Sequence, residues 1–156
     1  MQTTIAVAMR ADPQVIFRLA AAVERWPEIL PHYSSVRVLR DDGQRRIVAM
    51  AARRDAIPVR WVAEQRLYPA DRRITFRHVG GITRGMDVAW TLAPMELSGD
   101  VLVQIWHRFE PRWPLVPDVL TDLVVGRYFV NGIAARTLAC LRARAEMAFG
   151  DAGARR

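Results

Sequence analysis

Six short segments of alternating apolar and polar residues follow one another between residues 36 and 109, and the links between them are too short for anything but hairpins. Val36–Arg40 and Arg45–Arg53 flank the turn Asp41-Asp42-Gly43; Val59–Tyr68 and Arg72–Val79 flank Pro69-Ala70-Asp71. Met86–Leu92 and Val101–Phe109 flank the longer loop Ala93–Asp100, which holds Pro94, Ser98 and Gly99. A parallel pair needs a crossover of roughly a dozen residues or more, whereas an antiparallel pair closes through a tight turn. The order therefore predicts an antiparallel meander.

The flanking elements decide what covers that sheet. Thr3–Met9 alternates Ile5, Val7 and Met9 against Thr4, Ala6 and Ala8, which predicts a seventh, half-buried strand. Asp12-Pro13 starts a helix running to about Ala22: the carboxylate accepts orphan amide hydrogens, and proline at the first helical position sacrifices no bond. Glu24–Leu30 reads as a second short helix, punctuated by Pro27 and ended by Pro31. After Pro111, Pro114 and Pro117, a helical apolar pattern extends from Asp118 to about Met147. Gly126 and Gly132 interrupt it, at a cost of ~1 kcal/mol each in a helix interior, which suggests a bend or close approach to the sheet. A sheet with one apolar face needs a cover, and this helix is the obvious one. The expected fold is α+β: a seven-stranded curved antiparallel sheet wrapped around a long C-terminal helix, with two short helices after the first strand. Residues 1–149 form one domain, and 150–156, small, polar and basic, are expected to be a disordered tail. A single helix across a curved sheet leaves a gap beneath it, and such gaps are where ligands bind.

Composition narrows the function classes. The chain of 156 residues carries a formal charge of +7, and all 23 basic residues are arginine. Pairs such as Arg45-Arg46, Arg53-Arg54 and Arg72-Arg73 are scattered near strand ends, with no zinc-finger spacing, aromatic RNA-binding signature or recognition helix. The charge reads as a codon bias that replaces lysine by arginine, and nucleic acid is not an expected partner. One cysteine, Cys140, excludes an intrachain disulfide and a multi-cysteine metal site. The start lacks the basic end and apolar run of a signal peptide, and the most apolar window, Val116–Ala135, is broken by Asp118, Asp122, Arg127 and Asn131. A cytoplasmic protein without a transmembrane segment is expected.

The run Val23-Glu24-Arg25-Trp26-Pro27-Glu28-Ile29-Leu30-Pro31-His32-Tyr33, following Asp12-Pro13 and its helix, resembles the START-like (SRPBCC) superfamily of polyketide cyclases. Arg60-Trp61-Val62-Ala63-Glu64, the strand Val88-Ala89-Trp90-Thr91 and Asn131 continue the match, which covers Thr3 to Glu146. It is most similar to bacterial aromatase/cyclases of the tetracenomycin type. The resemblance implies a helix-grip fold whose internal pocket holds a poly-β-ketone and directs aldol cyclisation and dehydration. It implies no metal or organic cofactor. A hydrophobic small molecule, polyketide or lipid-like, is the implied partner, and an acyl carrier protein is a further candidate.

Carried over residue by residue, the family's pocket tyrosine falls on Tyr33 and the tryptophan before it on Trp26. The family's strand arginine does not carry over: Gln65 stands in its place, and Arg66, one residue along, points to the other face. The second family arginine lands near Arg77 or His78, and the face shared with Ile74 and Phe76 puts His78 inside and Arg77 outside. His107, on one face with Ile105 and Phe109, takes a position that is polar in the family, and Thr137 takes that of a pocket asparagine.

A cyclase must remove a proton alpha to a ketone and donate one to a leaving hydroxyl. Tyr33, His107 and His78 are the candidate catalytic groups, tyrosine as donor and histidine as acid or base. Trp26, Trp61, Gln65, Met86, Trp90, Ile105 and Thr137 are the candidate ligand-binding residues. For Trp61 and Trp106 a place in the pocket wall and one in plain core are both open; His32, after a proline, is expected at the surface. Cys140 is expected as buried filler. The leading reading is a cofactor-independent polyketide cyclase or dehydratase. A non-catalytic carrier of a lipid, quinone or similar molecule is the alternative, which Gln65 in place of an arginine strengthens; a basic-surface partner binder is the third.

Overall fold

The structure, a computed structural model, describes residues 1–110 and 130–154, with side chains described through residue 150. Seven strands form one antiparallel sheet: β1 (Gln2–Met9), β2 (Tyr33–Asp41), β3 (Arg45–Arg54), β4 (Ile57–Tyr68), β5 (Arg73–Gly81), β6 (Asp87–Pro94) and β7 (Val101–Arg108). Their order is β1-β7-β6-β5-β4-β3-β2, so the meander is complete and β1 closes it by pairing with the last strand. The α1 helix (Pro13–Ala21), a 3-10 turn (Val23–Arg25) and the α2 helix (Trp26–Ile29) connect β1 to β2. The long helix α3 (Asn131–Ala154) follows β7. This is the helix-grip α+β fold.

Local chemistry places each element. Asp12 caps α1, its Oδ1 accepting from the Gln14 amide at 2.6 Å, with Pro13 inside the first turn. On α3, Ala134, Leu138, Leu141 and Ala145 are buried, a stripe of helical period laid on the concave face of the sheet. Met9, Ile16, Val48, Ile74 and Val103 pack around it, each essentially inaccessible. Asn131 opens α3, so the expected helical stretch 118–129 lies outside the described residues, as does Gly126. The other glycine lies in close contact: a Cβ on Gly132 would sit 2.6 Å from Nε of Arg54, whose side chain crosses from β3 onto the first turn of α3. The helix runs past Met147 to Ala154, into the stretch expected as a tail.

Three bulges shape the sheet. On the edge strand β2 the pairing slips between Tyr33 and Ser35 and between Val38 and Arg40, leaving Ser34 and Leu39 as extra residues. Bulges at an edge re-aim side chains and discourage pairing with another chain. The third lies between β4 and β5, where Val62 pairs with Gly80 but Ala63 with His78, so Val79 is the extra residue. Strand alternation along β5 is regular up to His78 and broken just after it.

Candidate ligand-binding site

The sheet holds dry core at one end and a cavity at the other. Val59, Trp61, His78, Met86, Ile105 and His107 bring the cavity-lining positions of β4 to β7 to the end of the sheet nearest the N-terminus of α3. Val130, Ile133, Ala134 and Thr137 close it from the helix side, and Trp26, Tyr33, Met50, Phe76, Val88 and Trp90 from below. The space between these atoms is about 620 Å³, mouth included, of which about 80 Å³ admits the centre of a water-sized sphere. That enclosed space is well below the roughly 300–1,000 Å³ of a typical ligand pocket, so an organic ligand would have to part the walls or extend into the mouth.

Its walls are aromatic. Trp26 touches Tyr33 edge-on at 4.9 Å between ring centroids and lies 5.9 Å from Trp90 and 6.2 Å from Phe76. Tyr33 meets Trp61 at 6.1 Å, and Trp61 stacks on the His78 ring with an interplanar angle of 5°. The Trp26 indole N–H is spent on the Leu19 carbonyl at 3.1 Å, which locks the ring.

The polar groups that interrupt this wall are uncharged. His78 Nδ1 lies 2.6 Å from the Thr83 hydroxyl, held there by the β5–β6 loop, in which the His78 amide donates to the Met86 carbonyl and the Gly85 amide donates to that of His78. Burial, with a smaller contribution from His107, lowers the His78 pKa to about 3. Burial alone lowers that of His107 to about 4, and its Nδ1 has no partner among the described residues. Burial pushes the Tyr33 hydroxyl well above the usual phenol range, an effect that nearby Thr137 partly offsets. At neutral pH the cavity therefore presents two neutral imidazoles, one protonated phenol and two threonine hydroxyls. No charged side chain stands among the described residues that line it.

Of the residues singled out in the sequence, Tyr33, His78, His107, Trp26, Trp61, Met86, Trp90, Ile105 and Thr137 all border this cavity. Gln65 does not. It is fully buried on the inner face, but farther along β4, where its Nε2 donates to the Ala21 carbonyl at 3.0 Å and ties down the end of α1. Arg66 and Arg77 lie outside, paired with Glu64 at 2.7 Å and Asp87 at 2.6 Å. Trp106 is neither wall nor core: it lies on the outer face, beside Glu64, Arg66 and Ala89. Cys140 is half-buried and packs against the core.

His32 corrects the sequence reading. It is 3% exposed rather than on the surface, and its Nε2 lies 2.9 Å from the Thr137 hydroxyl. Its ring also packs on that of Tyr33 at 4.9 Å. Burial and nearby Arg136 bring its pKa down to about 4.

A family profile described as polyketide cyclase / dehydrase and lipid transport matches residues 9–125. The chain belongs to that family. No curated protein sequence matches it significantly. Among solved structures, TTHA0849 from Thermus thermophilus superposes with a TM-score of 0.80 at 20% identity, over 95% of this chain and 99% of that one. The ZhuI aromatase/cyclase from Streptomyces sp. R1128 gives 0.73 at 18%, over 94% and 93%. A START superfamily protein from Mycobacterium smegmatis gives 0.73 at 17%, over 94% and 97%. At such identities the likeness shows the fold alone, and one scaffold of this kind hosts different activities. The family's two named roles, polyketide chemistry and lipid transport, share a hydrophobic small molecule as ligand. No helix among the described residues is long and apolar enough to cross a membrane.

Proposed function

We propose that the cavity binds a hydrophobic polyketone and promotes its aldol cyclisation and dehydration. The observation that carries this reading is the convergence of Tyr33, His78 and His107 on one apolar cavity. A neutral imidazole can accept the proton alpha to a ketone, and the resulting enolate carbon attacks a second carbonyl carbon of the same chain. The Tyr33 hydroxyl donates a hydrogen bond to the oxygen on which charge develops. The imidazolium returns its proton to that oxygen, giving a β-hydroxy ketone. A neutral imidazole then takes the second proton from the same alpha carbon and passes it to the departing hydroxyl, which leaves as water as the C=C bond forms. The tryptophan walls hold the product flat. No cofactor is needed for this sequence.

One observation favours the carrier reading: burial makes both imidazoles weak bases, and a general base works best with a pKa near the working pH. The two readings separate on variants of the purified protein. Replacing Tyr33 by Phe or His107 by Ala should cut turnover of a poly-β-ketone by roughly 10²–10⁴-fold, the usual worth of a positioned acid or base. Affinity should change much less, because contact with the walls carries most of it. Bound ligand without turnover in the wild type, with affinity governed by Trp90 and Met86, would establish the carrier. Mass spectrometry of the small molecule that copurifies names the ligand class in either case.

A further inference from the structure

We propose that the cavity end of the molecule docks on an anionic lipid bilayer, through a patch that combines exposed aliphatic side chains with arginines lacking carboxylate partners. The inference rests on the reading of the cavity as a hydrophobic-ligand site.

Three large aliphatic residues stand out from the loops at that end. Ile57, at the β3–β4 turn, is 48% exposed; Val79, at the β5 bulge, 43%; Ile82, in the β5–β6 loop, 51%. Their close neighbours in sequence, Val59, His78 and Thr83, line the cavity. Regular alternation turns His78 inward and leaves the next residue, Val79, facing outward as the extra residue of the bulge.

Beside these tips the outer face of the sheet has a hollow lined by Ser34, Ser35, Arg37, Ala49, Ala51, Arg60, Val62 and Gly81. Its depth comes from small residues. Arg37 pairs with Ala49 across β2–β3 and Arg60 with Ala51 across β3–β4, so two guanidinium groups flank a floor of alanine. Arg53 and Arg84 are exposed nearby. None of these four has a carboxylate partner among the described residues; Arg18, Arg72 and Arg144 have none either, and what sets the four apart is their place beside the exposed aliphatic tips. Asp55, the one carboxylate at the β3–β4 turn, is held by Arg54 at 3.7 Å.

The Ser34 hydroxyl is donated to the Ala51 carbonyl. Arginines free to meet phosphate, the Ser35 hydroxyl and aliphatic tips fit a phospholipid headgroup with the start of its acyl chains. A soluble phosphate would use the hollow but not the tips. Docking there would let a ligand pass between bilayer and cavity with little exposure to water.

The test is flotation of the full-length protein, without added cavity ligand, with vesicles of phosphatidylcholine alone or with part replaced by phosphatidylglycerol. Binding is expected to the anionic vesicles only and to weaken as salt rises. Arg37→Ser and Arg60→Ser should each weaken it roughly fivefold, the worth of one basic residue near an anionic surface. Ile57→Ser with Ile82→Ser should weaken it further and increase its salt sensitivity. Absence of vesicle binding, or binding unchanged in all these variants, would overturn the proposal, as would its abolition by low concentrations of inorganic phosphate. Binding of an apolar probe in the cavity, read by tryptophan fluorescence, is expected to stay at the wild-type level in every variant. Its absence in the wild type would count against the cavity reading, separately from the vesicle result.

Discussion

His32 and Thr137, 105 residues apart in sequence, meet at 2.9 Å in a buried hydrogen bond. The Thr137 hydroxyl has one hydrogen, which it donates to the Ile133 carbonyl one turn back on α3 at 2.8 Å. With its hydrogen placed there, Thr137 accepts from the His32 tautomer protonated at Nε2, whose Nδ1 is then a buried acceptor without a partner among the described residues. The bond joins the start of β2 to the helix directly behind Tyr33. Thr137→Val keeps the shape but strands the His32 Nε2, at a cost of about 1–3 kcal/mol in unfolding free energy. Urea denaturation measures it; a neutral result would mean that the two side chains do not bond in solution.

That contact also marks where sequence reading ends. The inward faces of β4 to β7 were legible because alternation is strict wherever one face is buried, and the bulge at Val79 comes only after His78. His32 was not legible, because its burial depends on a helix far along the chain. Gln65 shows a third case. Alternation places it inward correctly, but the inner face serves the cavity at one end of β4 and the end of α1 at the other. Position along a strand, unlike its facing, is set by tertiary packing.

Gln65 should therefore act on stability and not on ligand binding. Gln65→Ala removes the bond to the Ala21 carbonyl and opens space in a fully buried site, which should cost about 2–4 kcal/mol. Affinity for a cavity ligand should be unchanged. A large loss of affinity with stability intact would return Gln65 to the pocket.

The turn glycines separate strain from contact. Gly81 has φ of +86°, and a Cβ there would collide with the Arg60 carbonyl oxygen and lie 2.7 Å from the Trp61 Cα. Gly85 has a similar φ of +94°, with nothing within 4 Å. Gly85→Ala should cost about 1–2 kcal/mol, the conformational penalty alone. Gly81→Ala adds a backbone clash and should cost clearly more, while disturbing the cavity through Trp61 and His78. Equal losses in the two variants would mean that β4 and β5 are not so close.

The three histidines give the protein a definite response to acid. Each has a folded pKa of about 3 or 4 against about 6.5 when unfolded. Between those values the unfolded chain binds more protons than the folded one, so the histidine contribution to stability falls as pH drops from about 6.5 towards 3 and levels off below. Each pK unit of separation is worth about 1.4 kcal/mol. Urea midpoints measured across that range should show the fall, and His107→Phe should flatten it. No midpoint shift between neutral pH and about 5 would mean that the rings titrate normally and are not buried.

The same burial sets the pH profile of any turnover. A histidine base with an ordinary pKa gives a rate that drops below about pH 6.5 as the ring protonates. Here the imidazoles stay neutral down to about pH 4, and Tyr33 keeps its proton throughout the accessible range. For a substrate that does not itself titrate, kcat/KM should therefore be flat from about pH 5 to 8 and decline only below that. The profile must be read within the range where the protein remains folded, which the urea series defines. A drop centred near 6.5 would show that the working base is a histidine in contact with water, which neither His78 nor His107 is.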